Sequence, residues 1–319
     1  MKKRPWLWVV LIVAAALVLS CGGCMVLGLL SLGASDAMPT LTGAMGNAVA
    51  IIEIKGVIVS GQGLRGLSRG IAYSEDIIGD LKRAVADPTI KAIVLEVNSP
   101  GGGVVPSADI YQALRECPKP IVASMGEVAA SGGYYVSCPS QHIVVRPATM
   151  TGSIGVISQF TNAQELMRKL GVEQQVIKTG RYKDQGGLHR ALGEEEIDML
   201  QAMLDEALRD FVEAIVENRD LSEQEVRELA DGRVFTGRQA VDVGLVDSEG
   251  NLDSAIRIAA DLGGIEGEPR IVRYEETPTL FDLLSNLVAR IERPTELLLL
   301  DELLGNGQVP RLQYLYAGP

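Results

Sequence analysis

The sequence predicts an α/β fold in which a mostly parallel sheet is flanked by helices. Short runs of apolar, β-branched residues alternate with helical patterns along the first half of the chain. This alternation is typical of βα units, whose strands run parallel and are buried on both faces. Strands are expected at residues 50–60, 91–98, 120–125, 142–146 and 174–178, and helices at residues 74–88, 107–115, 131–137 and 193–218.

Polar residues at the expected helix starts support these assignments. Ser74 is a candidate N-cap for the first helix. Ser222 and Glu225 have the spacing of a capping box, in which each side chain satisfies a backbone N–H at the start of a helix. Thr236 is a candidate cap for a short helix that ends near Gly244, since glycine is favoured just beyond a helix.

Composition divides the 319-residue chain into four parts. Residues 1–33 are strongly apolar after a basic start, and residues 34–48 are rich in Ala, Gly and Thr, which predicts a linker. Residues 49–267 hold the βα pattern and form the main domain. Residues 268–319 combine amphipathic and apolar stretches with an extended tail, which predicts a C-terminal helical extension.

The N-terminal segment predicts a single transmembrane anchor. Lys2, Lys3 and Arg4 precede an apolar stretch that runs from Trp6 to about residue 32. About 20 apolar residues span a bilayer, and basic residues before the span favour a cytoplasmic N-terminus. We therefore expect the main domain outside the cytoplasm. A cleaved signal peptide and lipidation at Cys21 are the competing interpretations.

Charge and cysteine content exclude several classes of function. The formal net charge is −12, and no basic stripe is present, so nucleic acid is not an expected partner. Outside the N-terminal segment only Cys117 and Cys138 remain. They are too few for a disulfide scaffold and lack metal-ligand spacing, although a bridge between the two is left open.

Two glycine-rich segments follow successive expected strands, NSPGGG at 98–103 and ASGG at 130–133. Parallel strands end at the same edge of a sheet, where α/β proteins bind ligands. Glycine leaves backbone N–H groups uncovered, and such donors stabilise a developing oxyanion. Ser131 would lie beside them at a helix N-terminus, as a candidate nucleophile. Taken singly, the segments are also typical of a turn and of close helix packing.

The base that would activate Ser131 is not fixed by the pattern. The two histidines are poor candidates, because His142 lies in an expected strand and His189 lies in a polar loop without an obvious Asp partner. A lysine can act as a base where burial lowers its pKa. Lys178 and Lys183 are both available, and spacing alone does not choose between them.

Five motifs together identify a family. They are VNSPGGG at 97–103, SMGEVAASGGYY at 124–135, TGSIGV at 151–156, KTGRYKD at 178–184 and GRVFTGRQA at 232–240. With them the sequence resembles the signal peptide peptidase A family of membrane-anchored serine proteases over about residues 48–272. The resemblance implies a ClpP/crotonase-like fold and makes residues 49–267 the catalytic domain.

The resemblance also implies the roles of five residues. Ser131 is the nucleophile and Lys183 the general base of a Ser-Lys dyad, with the Ser153 hydroxyl orienting the lysine amine. The N–H groups of Gly102 and Gly132 form the oxyanion hole. No metal or other cofactor is implied.

The implied function is an endopeptidase that degrades remnant signal peptides, and other apolar peptides, through an acyl-enzyme. The implied location is the bacterial cytoplasmic membrane, with the catalytic domain on the extracytoplasmic side and the subunits in a homo-oligomeric ring. Three alternatives stay open. They are a related protease acting on one membrane protein, an acyl-CoA enzyme of the crotonase fold, and an inactive scaffold in which AASGG serves only packing.

Overall fold

The computed structural model describes residues 46–63, 70–274 and 313–315 of the chain. The strands are β1 (Ala48–Lys55), β2 (Val57–Val59), β3 (Ile71–Tyr73), β4 (Ile90–Ser99), β5 (Gly101–Gly103), β6 (Ile121–Ala130), β7 (His142–Val145), β8 (Met150–Gly152), β9 (Val234–Thr236), β10 (Ser248–Glu249), β11 (Arg270–Arg273) and β12 (Gln313–Leu315). The helices are α1 (Ser74–Ala86), α2 (Val104–Arg115), α3 (Gly132–Tyr135), α4 (Gln164–Lys169), α5 (Glu194–Asn218), α6 (Glu223–Leu229), α7 (Gly237–Asp242) and α8 (Leu252–Leu262).

The main sheet confirms the predicted α/β class. Its strands run in the order β10-β7-β6-β4-β1-β11, and every neighbouring pair in this order is parallel. The short strand β8 pairs with the end of β6 in parallel and with β9 in antiparallel orientation. A second sheet has the order β12-β5-β2-β3 and begins where β1 and β4 end.

The sheet is buried on both faces, because successive side chains of a strand point to opposite sides. In β1 the side chains of Ile52 and Ile54 join the larger core cluster, which also contains Phe211 of α5. Val49 and Ile51 point the other way, into a smaller cluster covered by α8. This double burial explains why the strands read as continuous apolar runs.

Most predicted elements are confirmed, with shifts at their ends. The run at 50–60 is split into β1 and β2 at Gly56, whose φ is 92°. A Cβ at Gly56 would lie 2.1 Å from the carbonyl carbon of Gly70, so this approach requires glycine. Helix α2 begins three residues earlier than predicted, directly after β5. The capping boxes of Ser222 with Glu225 and of Thr236 with Gln239 are present.

Two predictions of local structure are wrong. Residues 174–178 form no strand among the described residues and are exposed, since no neighbouring strand pairs with them. Ser74 is the first residue of α1 rather than its N-cap, and its side chain is buried. Cys117 and Cys138 are both free thiols, so the two cysteines of the main domain form no disulfide bridge.

Several sequence predictions fall on residues outside the described ranges. These are the anchor at 1–33, the linker up to residue 45, and the extension between residues 275 and 312. Within residues 46–63, 70–274 and 313–315, no helix is long and apolar enough to cross a membrane.

Two glycine-to-alanine substitutions test how tightly α3 packs against the end of β4. A Cβ at Gly133 would lie 2.5 Å from the carbonyl oxygen of Ser99, a backbone atom that cannot move alone. We expect Gly133→Ala to lower the free energy of unfolding by roughly 1–3 kcal/mol. Gly79→Ala in α1 meets no atom within 4 Å and should raise it by about 0.5–1 kcal/mol. Equal stability of the two variants in chemical denaturation would contradict this close packing.

Candidate active site

Ser131 lies at the turn where β6 ends and α3 begins, at the carboxyl edge of the main sheet. Its side chain is 1% exposed, and its Oγ makes no hydrogen bond within the described residues. Its φ of 54° and ψ of −119° lie outside the regions that residues with a Cβ prefer. Such a conformation costs about 1–3 kcal/mol and is found mainly at functional sites. The turn therefore takes Ser131 out of the β6 strand.

The structure brings Ser153 next to Ser131, whereas its expected role beside the Lys183 amine stays a prediction. Strand β8 pairs with β6 so that Ala130 and Gly152 are partners, and each serine follows its strand directly. The Ser131 N–H donates to the carbonyl oxygen of Gly152 at 2.7 Å. Ser153 also has a positive φ, of 50°. Both serines therefore leave the sheet at the same level.

The two glycine-rich segments lie at the same edge of the sheet, as predicted, and their backbones are in contact. A Cβ at Gly101 would lie 2.6 Å from the backbone nitrogen of Gly132 and 2.0 Å from the carbonyl oxygen of Tyr314. A Cβ at Gly102 would lie 2.0 Å from the carbonyl oxygen of Ile58. Only glycine permits these approaches. Gly132 is the first residue of α3, and the first N–H groups of a helix have no partner inside it.

Two residues of the VNSPGGG motif for which the sequence predicted no role hold this arrangement together. Ser99 Oγ donates to the Gly56 carbonyl at 2.6 Å and accepts from the Gly101 N–H at 3.1 Å. Asn98 Oδ1 accepts from the N–H groups of Glu127 and Val128, both at 3.1 Å. The second contact lies where the register between β4 and β6 shifts. The Asn-Ser pair before the glycines was the available signal for this role.

An extended segment of the chain lies along β5, the strand formed by the three glycines 101–103. Strand β12 is antiparallel to β5, with Tyr314 opposite Gly102. The Tyr314 ring is buried against Tyr135 and Phe211, with ring centroids 5.1 and 4.9 Å apart. Its hydroxyl donates to the Ala207 carbonyl at 2.7 Å. Burial in this apolar pocket raises the pKa of Tyr314 above its usual value, so the ring is present there as a neutral phenol.

Lys183 is not brought to Ser131 in the described part of the chain. It lies in a turn, its side chain is exposed, and the Oγ of Ser131 has no hydrogen-bond partner there. The neighbouring Lys178 is occupied instead, since its Nζ contacts Asp184 Oδ1 at 2.6 Å and the Arg181 carbonyl at 2.8 Å. The burial that a lysine base requires is therefore not supplied to Lys183 by these residues.

A network of charges anchors the segment that carries Lys183. Arg190 Nη2 lies 2.8 Å from Asp184 Oδ1 and 2.6 Å from Glu196 Oε1. Glu196 in turn accepts from the Gly193 N–H at 2.8 Å and so caps α5. The hydrogen bond from Arg190 lowers the pKa of Glu196 to about 2, with help from that backbone N–H. Hydrogen bonds from Arg190 and Lys178 lower the pKa of Asp184.

The two histidines have different outcomes. His142 lies in β7 as predicted, and its Nε2 is 2.8 Å from Ser248 Oγ. His189 was expected to lack an Asp partner, and this is wrong. Its Nε2 is 3.4 Å from Asp184 Oδ2, because the turn at 184–189 folds back on itself. Asp184 is shared with Arg190 and Lys178, so the pair belongs to the anchoring network.

The geometry fits acyl transfer at the carboxyl edge of the main sheet, where Ser131 lies. A strained, buried serine lies at a helix N-terminus beside two glycine segments, and an extended backbone lies alongside. No group of acidic, histidine or cysteine side chains able to hold a metal ion occurs in the described residues.

Comparison with known proteins places the chain in a family. Residues 113–266 match the model of peptidase family S49. A protein of Enterococcus faecium, whose name contains the words signal peptide peptidase, is 32% identical over 291 residues, which are 86% of this chain and 83% of that protein. The chain belongs to peptidase family S49.

Two further relatives agree with this. A protein of Synechocystis sp. whose name contains the word protease is 39% identical over 220 residues, which cover 68% of this chain and 75% of that protein. A chloroplastic serine protease of Arabidopsis thaliana is 31% identical over 253 residues, 77% of this chain but 37% of its own length. The chain is a serine peptidase, so the acyl-CoA enzyme considered above is wrong.

The anchoring network predicts a pH-dependent stability. A carboxylate with a lowered pKa stabilises the fold above its ordinary pKa, and the stabilisation is lost as pH falls toward the lowered value. The decrease in melting temperature caused by Arg190→Gln should therefore have its full size above about pH 5. The difference from wild type should shrink as pH approaches about 2. A difference independent of pH would show that Arg190 acts through packing alone.

Proposed function

We propose that this serine peptidase is a membrane-anchored endopeptidase that degrades remnant signal peptides with a Ser131–Lys183 dyad. The observation that carries the proposal is the placement of β12. An extended backbone already lies antiparallel to β5, with its Tyr314 carbonyl oxygen against Gly101 and Gly132. A substrate peptide bound in the same manner would present its carbonyl to the edge where Ser131 lies.

The chemistry is an acyl transfer in two halves. The Lys183 amine accepts the Ser131 proton as Oγ bonds to the peptide carbonyl carbon, and the carbonyl electron pair moves to the oxygen. The N–H groups of Gly102 and Gly132 hold that oxyanion, each such donor contributing roughly 2.7–4 kcal/mol. The C–N bond then breaks, and Lys183 returns the proton to the leaving amine. Water, activated by the same amine, hydrolyses the ester and frees Ser131.

Apolar peptides are the substrate class that suits the groove. Tyr135 and Phe211 form an aromatic pocket that here receives the Tyr314 ring. Such a pocket favours a large apolar side chain. The name of the Enterococcus faecium relative supports signal peptides in particular. The apolar N-terminal segment, taken as an anchor at 1–33, would hold the ClpP/crotonase-like domain at the extracytoplasmic membrane surface, where such peptides remain.

We propose further that a second copy of the chain completes the dyad. Ser131 is buried and has no hydrogen-bond partner among the described residues, whereas Lys183 is exposed on a segment rich in exposed apolar side chains. Ile177 is 93% exposed there, and Leu170 and Val172 are also exposed. Contiguous exposed apolar residues are typical of interfaces. Association through this segment would bury Lys183 against a neighbour's Ser131, which is the arrangement expected of a ring.

Peptide hydrolysis tests the dyad. We expect the full chain in detergent to cleave an apolar signal-peptide sequence, and both Ser131→Ala and Lys183→Ala to lower kcat by at least about 10³-fold. Lys178→Ala is the matched control, because it removes a lysine five residues away whose amine contacts Asp184. The dyad is refuted by wild-type turnover in Ser131→Ala, or by equal losses in the two lysine variants.

Mixing two inactive variants tests whether the dyad forms between copies. Ser131→Ala retains Lys183, and Lys183→Ala retains Ser131. At some interfaces of a mixed assembly, an intact Ser131 of one variant therefore meets an intact Lys183 of the other. We expect turnover to return when the two proteins are dissociated, combined and reassembled. Each variant treated alone is the control. Absence of recovery in mixed oligomers, verified by differently tagged subunits, would place both members of the dyad in one chain.

A further inference from the structure

Ser107 is a buried hydroxyl that the mechanism above does not use. It lies in the second turn of α2, which begins directly after the glycine strand β5. Its side chain is 0% exposed, and its Oγ has no hydrogen-bond partner within the described residues. Leaving such a hydroxyl unpaired costs about 1–3 kcal/mol, which an alanine of almost the same size would avoid.

The Ser107 hydroxyl lies against Gly132, a residue of the candidate oxyanion hole. A Cβ at Gly132 would lie 2.8 Å from Ser107 Oγ, so the hydroxyl is packed against the Gly132 backbone. The same point is 3.1 Å from the carbonyl oxygen of Tyr314. A free hydroxyl and the carbonyl of an extended peptide therefore approach the same glycine. A larger residue than glycine at position 132 would separate them.

We infer that Ser107 is a side-chain hydrogen-bond donor to the peptide carbonyl oxygen during acyl transfer, an inference that rests on the proposed function. The hydroxyl hydrogen rotates freely about the Cβ–Oγ bond. It can turn toward an oxygen that gains negative charge when Ser131 attacks. Backbone N–H groups of Gly102 and Gly132 hold that oxygen from the glycine segments, and Ser107 adds a third donor from α2. The unpaired state of the hydroxyl then has a function, since its partner arrives with the substrate.

Ser107→Ala separates this role from a structural one. Removing an unpaired buried hydroxyl should leave the melting temperature unchanged or raise it. Removing an oxyanion donor should lower kcat by about 10²-fold with little change in KM. Ser107→Cys, which keeps the shape and a weaker donor, should fall between alanine and wild type.

Ser140→Ala is the matched control. Ser140 is also a buried serine whose Oγ lacks a partner in the described residues. It lies beyond the far end of α3, where its carbonyl accepts from Arg219 at 2.7 Å. The same chemical change at the same burial should leave kcat at the wild-type value.

Inhibition by a peptide aldehyde provides a second measurement. The aldehyde carbon bonds to Ser131 Oγ, the hydroxyl proton moves to the base, and the former carbonyl oxygen occupies the oxyanion position with no leaving group. We expect Ser107→Ala to raise the inhibition constant by a factor similar to its loss in kcat/KM. Binding of an uncleaved peptide to Ser131→Ala should be equal with and without the Ser107 change.

The outcomes distinguish this inference from the proposed function. Loss of turnover in Ser131→Ala with full turnover in Ser107→Ala would overturn the role of Ser107 alone. A fall in melting temperature that parallels the loss of activity in Ser107→Ala, or an equal loss in Ser140→Ala, would also overturn it. Undiminished turnover in Ser131→Ala would refute the proposed function itself, and the third donor with it.

Discussion

The contact between the backbones of two glycine segments determines the rest of the site. Gly101 at the start of β5 lies so close to the backbone nitrogen of Gly132, at the start of α3, that position 101 does not tolerate a Cβ. This contact fixes the distance between the ends of β4 and β6, which are already neighbours in the sheet. Ser131 must then turn from strand to helix within one residue, and its positive φ is the consequence. The strain is maintained because the hydrogen bond to Gly152 and the packing of α3 together outweigh it.

The sequence predicted the part of the site that depends on the sheet. β-branched runs revealed the strands, and the rule that parallel strands end at one edge brought the glycine segment at 98–103 and Ser131 together. The role of Ser153 beside Lys183 rested on family resemblance and stays a prediction, whereas the pairing of β6 and β8 places Ser153 near Ser131. Strand β8 itself was not predicted, since three residues with Thr and Gly have no recognisable period. The split at Gly56 and the pairing of Tyr314 with Gly102 depend on contacts between distant segments, which local patterns do not report.

The region from residue 157 to 193 shows where sequence reasoning reaches its limit. Residues 174–178 have a β-rich composition, but composition forms a strand only where a partner strand is available. His189 and Asp184 meet because Arg190 draws Asp184 and Glu196 together, an arrangement of three charges that no spacing rule predicts. Lys183 projects from this charged anchor into solvent. The position of its segment is therefore determined by α5, whereas the function proposed for it depends on a surface outside the single chain.

The placement of two buried serines supports a functional role for this edge of the sheet. Ser131 and Ser107 are both buried, both lack a hydrogen-bond partner in the described residues, and both lie beside Gly132. Unsatisfied hydroxyls and a strained φ each reduce stability, and a fold selected for stability alone would avoid placing them together. Elsewhere in the same region polar groups are satisfied, as in the contacts of Ser99 and Asn98 that hold the glycine segment. Two unsatisfied hydroxyls beside one glycine are what a site shows when its remaining hydrogen-bond partners belong to the substrate.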